Sequence, residues 1–105
     1  MDPRIERLEA VIKARKGADP SSSYVASLFA KGTAKIAQKV GEEATETIIA
    51  ALNEGPEKLT SEAADLIFHL SILLADAGLS MDDVLSELER REGVSGIDEK
   101  ASRKG

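Results

Sequence analysis

The chain has 105 residues, 42 % of them hydrophobic, which suits one folded domain spanning 1–105. It has no cysteine and a single histidine, which excludes a disulfide framework and a thiolate metal site and argues against zinc. A formal net charge of −5 argues against non-specific nucleic-acid binding, which needs a basic stripe, but leaves room for a phosphorylated ligand.

No apolar leader follows Met1 and no run is long enough to cross a bilayer, so a cytoplasmic protein with no membrane partner is expected. Only Tyr24, Phe29 and Phe68 are aromatic; the apolar set is mainly Ala, Leu, Ile and Val, which favours packed helices over a sheet. Asp2-Pro3 predicts a helix start, an N-cap followed by proline at the first helical position. Ile5, Leu8, Val11 and Ile12 then form one apolar stripe that ends near Gly17. After a loop containing Pro20, the serines at 21 to 23 can cap a second helix holding Tyr24, Val25, Leu28 and Phe29, closed by Gly32.

Thr33 is expected to cap a long third helix reaching about Leu52, with Ile36, Val40, Ala44, Thr47, Ile48 and Ala51 as its apolar face and Glu43 at the border. Gly41 inside it permits close approach of a backbone or a ligand. Asn53-Glu54-Gly55-Pro56 reads as a turn, after which Thr60 or Ser61 is expected to cap a fourth helix, with Glu62 in its first turn. That helix, Ala63 to Ala77, is apolar almost all the way round, through Leu66, Ile67, Phe68, Leu70, Ile72, Leu73 and Leu74. A helix hydrophobic on every face must be surrounded, and a chain this small has few helices to do it, so at least a homodimer is expected. Ser80 caps a last helix with Val84, Leu85 and Leu88 inward, and Gly93 closes it. The tail from about Val94 is mostly polar and ends basic, with Gly93 and Gly96 as hinges. The expected fold is an all-α bundle of about five helices completed by dimerisation.

The chemistry lies in Glu42-Glu43-Ala44-Thr45-Glu46 and Glu62-Ala63-Ala64-Asp65. At about 100° per residue, Glu42, Glu43 and Glu46 share one arc of the third helix, and Glu62 and Asp65 lie one turn apart on the fourth. Acids crowded in this way repel one another unless a cation sits between them. Mg²⁺ suits the place, because it prefers oxygen ligands, keeps several waters and bridges to substrate phosphates. The plainer alternative is a solvated helix face, with Lys39 and Glu43 as a simple pair four residues apart. It is disfavoured because Glu62 and Asp65 open a helix that has no other substantial polar face. Lys31, Lys35 and Lys39 precede the acids, and Arg90, Arg91, Lys100, Arg103 and Lys104 gather near the end. His69, one turn beyond Asp65, is either catalytic or a buried histidine hydrogen-bonded to a backbone or carboxylate partner; support of a metal ligand satisfies both. Tyr24 could stack on a base or merely pack.

Glu43-x-x-Glu46 followed by Glu62-x-x-Asp65 resembles the signature of the all-α, MazG-like nucleotide pyrophosphohydrolases. Further segments are similar to one branch, the phosphoribosyl-ATP pyrophosphohydrolases of histidine biosynthesis. These are Ser23-Tyr24 with Leu28-Phe29-Ala30-Lys31-Gly32, then Lys35-Ile36-Ala37-Gln38-Lys39-Val40-Gly41 leading into Glu42-Glu43. Glu62-Ala63-Ala64-Asp65-Leu66 with His69-Leu70, and the tail Ser95-Gly96-Ile97-Asp98-Glu99-Lys100-Ala101-Ser102-Arg103, complete the likeness, which covers the chain from about Ile5 to Arg103.

The resemblance implies Mg²⁺-dependent hydrolysis of 1-(5-phosphoribosyl)-ATP to the AMP form and pyrophosphate. It implies Glu43, Glu46, Glu62 and Asp65 as metal ligands, Glu42 and Glu46 as the catalytic acids, with Glu42 orienting or deprotonating the attacking water, and His69 behind the ligands. It also implies phosphate contacts from among Lys31, Lys35 and Lys39, and a basic segment with Lys100 and Arg103 closing over substrate. The family also occurs fused to a cyclohydrolase domain, so this chain looks like the stand-alone form. Two rival readings remain: a house-cleaning pyrophosphohydrolase of free nucleoside triphosphates, and a non-catalytic helical dimerisation module.

Overall fold

A computed structural model describes residues 1–93 of the chain. It contains α1 (Pro3–Arg15), α2 (Tyr24–Lys31), α3 (Thr33–Asn53), α4 (Pro56–Asp76) and α5 (Met81–Arg90), with no strand among the described residues. The all-α architecture read from the composition is the observed one.

The helix starts follow local chemistry. Asp2 accepts from the Arg4 N–H and Pro3 opens α1, while Ser23 accepts from the Ala26 N–H at the head of α2. Gly32 ends α2 and also precedes α3, because its φ of 94° lets the chain reverse between two helices with no linker. Thr33 is therefore the first residue of α3 rather than its cap; its hydroxyl instead donates to Asp76 Oδ2 at 2.5 Å, tying the start of α3 to the end of α4.

α4 corrects the sequence expectation. It begins at Pro56, not after Thr60 or Ser61, since Gly55 at φ 85° turns the chain and proline supplies the first helical residue. The Thr60 hydroxyl donates back to the Pro56 carbonyl inside the helix, and Glu62 lies in the second turn. α3 and α4 thus form a hairpin of two 21-residue helices, the largest packed pair in the fold.

Ile12, Val25, Leu28, Ile36 and Ile72 form the core, with Leu8, Phe29, Phe68, Leu73 and Ala75 packed around it. α1 and α2 cover one side of the hairpin. The outer face is barer than the sequence implies. Ile48 and Ala51, expected inward, are exposed, and so is Val11 of α1. The inward row of α3 is instead Ile36, Glu43 and Ala50, spaced by seven residues and so by two helical turns.

α5 also departs from expectation. Ser80 and Asp83 form a capping box, and the Met81 N–H donates to Glu9 Oε2 of α1 at 2.8 Å. Yet the helix buries no residue: Leu85 and Leu88, expected inward, are exposed, because α5 turns 98° away from α4. Among the described residues no single helix is long and apolar enough to cross a membrane. The tail expectations from Val94 on lie outside the described residues.

Candidate metal centre

Seven-residue spacing places Glu43 on the same inward row of α3 as Ile36 and Ala50, both 0 % exposed, and this glutamate keeps only 7 % of its surface exposed. On α4 the same spacing relates Glu62 to His69, exposed to 7 % and 5 %. Hairpin pairing brings the rows together. One carboxylate oxygen from each of Glu43, Glu62 and Asp65 lies within 4.8 Å of the others.

The charges in this group are incompletely answered. Lys39 Nζ stands 3.8 Å from Glu43 Oε1, and Lys58 Nζ 3.1 Å from Glu62 Oε1. The other oxygen of each glutamate, Oε2, is buried with no hydrogen-bond partner. A buried carboxylate oxygen without a donor costs on the order of 1–3 kcal/mol or more, which a cation would recover. Glu46, one turn after Glu43, is exposed, but contact with the carboxyls of Glu43 and then Glu62, and their negative charge, push its carboxyl up to about 7. An all-carboxylate donor set of this kind suits a hard divalent cation and offers no soft ligand for zinc or copper.

Glu42 is not brought into the group. Adjacent residues on a helix diverge by about 100°, and Glu42 turns to Gln38 Nε2 at 2.9 Å and Lys39 Nζ at 3.3 Å. Those donors hold its carboxyl below the usual range, Gln38 foremost. Lys39 thus stands between Glu42 and Glu43. Lys35 is half-buried and lowers the Glu42 pKa through its charge; Lys31 is exposed at the end of α2. Lys100 and Arg103 lie outside the described residues.

His69 Nδ1 is 2.7 Å from the Asp65 carbonyl oxygen and Nε2 is 2.7 Å from the Tyr24 hydroxyl. A carbonyl only accepts, so Nδ1 carries the proton, and in the neutral ring Nε2 accepts from the tyrosine O–H. The histidine therefore engages the backbone of Asp65, not its carboxylate. Two features escaped the sequence reading. Lys58 pairs with Glu62 at the four-residue spacing that would have revealed it, had α4 been started at Pro56; the Tyr24–His69 bond spans separate helices and leaves no local trace.

Comparison with known proteins agrees with the geometry. The family described as phosphoribosyl-ATP pyrophosphohydrolase matches residues 5–92. A protein named phosphoribosyl-ATP pyrophosphatase from Erythrobacter litoralis is 65 % identical over 99 residues, covering 94 % of this chain and 95 % of the relative. One of the same name from Rhizorhabdus wittichii is 60 % identical over 103 residues, covering 98 % and 97 %. A third, from Zymomonas mobilis, is 65 % identical over 96 residues, covering 91 % and 90 %. The chain belongs to the phosphoribosyl-ATP pyrophosphohydrolase family.

Proposed function

We propose that the acids of α3 and α4 are where this chain carries out its family's reaction, hydrolysis of 1-(5-phosphoribosyl)-ATP to 1-(5-phosphoribosyl)-AMP and pyrophosphate in histidine biosynthesis. One observation carries the assignment of the site: Glu43, Glu62 and Asp65 converge within 4.8 Å while the Oε2 atoms of both glutamates are buried without a donor. Glu43, Glu62 and Asp65, with Glu46 beside them, hold Mg²⁺ in this reading. When bound, Mg²⁺ supplies neutralising charge for phosphate oxygens and lowers the pKa of nearby water.

The chain's own residues do the rest. Glu42, kept ionised by Gln38 and Lys39, orients the attacking water, and Glu46, whose carboxyl is pushed up to about 7, takes its proton. Water oxygen bonds to one phosphorus of the α–β anhydride, the bridging P–O bond breaks, and pyrophosphate leaves. Lys39, already poised between Glu42 and Glu43, and its neighbours Lys35 and Lys31 face the polyphosphate charge. Lys100 and Arg103 add to that charge from the basic tail. Positioning and charge neutralisation suffice for phosphoryl chemistry. A cytoplasmic setting fits a substrate too highly charged to cross a bilayer.

We infer a homodimer for the same molecule. Support comes from Ile48, Ile49 and Leu52 of α3, Ile67 of α4 and Leu85 and Leu88 of α5, all exposed to more than two-fifths. So much apolar surface on a small chain is characteristic of an interface.

The test is pyrophosphate release with Mg²⁺ from phosphoribosyl-ATP, ATP and deoxynucleoside triphosphates. Turnover on phosphoribosyl-ATP far above the others, lost in Glu62→Gln, is expected. Comparable turnover on all of them would reassign the substrate to free triphosphates, and activity retained in Glu62→Gln would remove the acids from the chemistry.

A further inference from the structure

The aromatic ring that the His69 hydrogen bonds hold at the surface has no part in the hydrolysis described above. Tyr24 is 50 % exposed, whereas Phe29 and Phe68 are partly buried, so the only exposed aromatic ring of the chain stands at the first residue of α2. An exposed ring is ordinarily free to swing. This one is held at its polar end by the 2.7 Å bond to His69 Nε2, and His69 is in turn fixed by its 2.7 Å bond to the Asp65 carbonyl. One side of the ring lies against Phe68, with centroids 6.5 Å apart and planes 16° from parallel, and His69 meets it edge-on at 5.7 Å. Helix α4 thereby pins the ring, from the turn that carries Asp65 at one end and His69 at the other.

Such a ring is preorganised to stack, because its rotamer freedom has been given up on folding rather than on binding. Its surroundings restrict what it can receive. Its hydroxyl is partly buried and sits within reach of the charge of Lys39 and then of Glu43, Glu42 and Asp65, beside the acid cluster, so a flat heteroaromatic ring carried by a ligand of that cluster can reach it. The substrate carries such a ring in its purine, attached to the polyphosphate that the acids would take through their cation.

We propose that the open face of Tyr24 is the platform on which the substrate's purine stacks, and that His69 is the positioning residue that holds the platform in place. The inference rests on the reading of the acid cluster as the polyphosphate site. The two fail separately: loss of the acid site abolishes pyrophosphate release, whereas loss of the platform leaves release intact and changes its concentration dependence. Base–aromatic stacking strengthens binding by roughly 5- to 150-fold.

Tyr24 is the one tyrosine in the chain, so its ring-proton resonances identify themselves in the NMR spectrum of the unaltered protein. Adding AMP should move them upfield, and inorganic pyrophosphate with Mg²⁺ should leave them in place. In kinetics, Tyr24→Leu should raise KM for phosphoribosyl-ATP roughly tenfold while kcat changes less than about twofold. Tyr24→Phe, which keeps the ring and loses the bond to His69, should recover only part of that loss and leave KM a few-fold above the original; a Tyr24→Phe KM equal to the original would remove His69 from the positioning role. Ring signals that ignore AMP, a Tyr24→Leu KM equal to the original, or a fall in kcat at constant KM would each overturn the proposal. The NMR arm decides the matter if the leucine variant does not fold.

Discussion

Glu46 is the side chain at which the repulsion of the metal-free site shows. Its carboxyl rises from 4.5 to about 7 because side-chain hydrogen bonds to Glu43, and next to Glu62, hold its proton, and the negative charge of Glu43 and Glu62 adds to the rise. With a folded pKa above the unfolded one, the folded state holds this proton more tightly than the unfolded chain does. The Glu46 contribution to the stability of the metal-free protein should thus be fully present below about 4.5 and lost as pH rises through about 7. Thermal unfolding in a chelator should show Tm falling across this window, with the slope flattened in Glu46→Gln. Above about 7 the same substitution should raise the metal-free Tm while cutting pyrophosphate release by about 10- to 100-fold, a trade of function for stability. A Tm lowered by Glu46→Gln at that pH would show that the crowding is not repulsive. The spacing of Glu43, Glu46, Glu62 and Asp65 was legible as one directional set, because helix periodicity alone fixes which way each points. The divergence of Glu42 was legible only in part: it lies about 100° round the helix from Glu43 but about 40° from Glu46, and the competing donors Gln38 and Lys39 settle where its carboxylate goes.

Among the elements, α4 matters most, and its start was misread. Thr60 and Ser61 looked like caps, but a glycine followed by proline is the stronger signal: Gly55 takes φ 85° and Pro56 occupies a position whose N–H has no helical partner. Gly55→Ala should consequently cost about 1–3 kcal/mol, the strain of a side chain at positive φ with extended ψ, with kcat nearly unchanged because nothing lies within 4 Å of the added carbon. Chemical denaturation measures it. Ile72→Ala, at 0 % exposure between α4 and the core, should cost about 2–5 kcal/mol. α5 presents the opposite case. Its cap was readable at Ser80, yet the reciprocal bond from Asp83 and the inward face were not, since amphipathic periodicity names an apolar side without naming what covers it. Glu87 anchors its end to Arg90 and Arg91, with Arg90 foremost in holding its carboxyl down to about 2. A depressed folded pKa gives a contribution present above about 4.5 and lost as pH falls through about 2, opposite in sign to that of Glu46.

The whole molecule follows from a long hairpin that is covered on one side only. α1 and α2 seal the inner side around Ile12, Leu28, Ile36 and Ile72, and Ile48, Ile49 and Leu52 on the outer side stay exposed, the surface of the proposed homodimer. Counting helices against apolar surface made it legible that some apolar residues would be left uncovered, whereas which ones depends on how α3 is rotated, which packing alone decides. Replacing Ile48 and Leu52, one turn apart and exposed to 59 % and 76 %, together by glutamate should convert the sedimenting species from dimer to monomer. An unchanged sedimentation coefficient would move the interface elsewhere. The whole account depends on carboxylates from two helices sharing one hard cation, and anomalous diffraction from crystals soaked in Mn²⁺, as a stand-in for Mg²⁺, tests this most directly. The expected result is a peak bounded by Glu43, Glu62 and Asp65, whose oxygens already lie within 4.8 Å of one another. Saturating Mn²⁺ that leaves this place empty, with the three side chains turned apart, would contradict it.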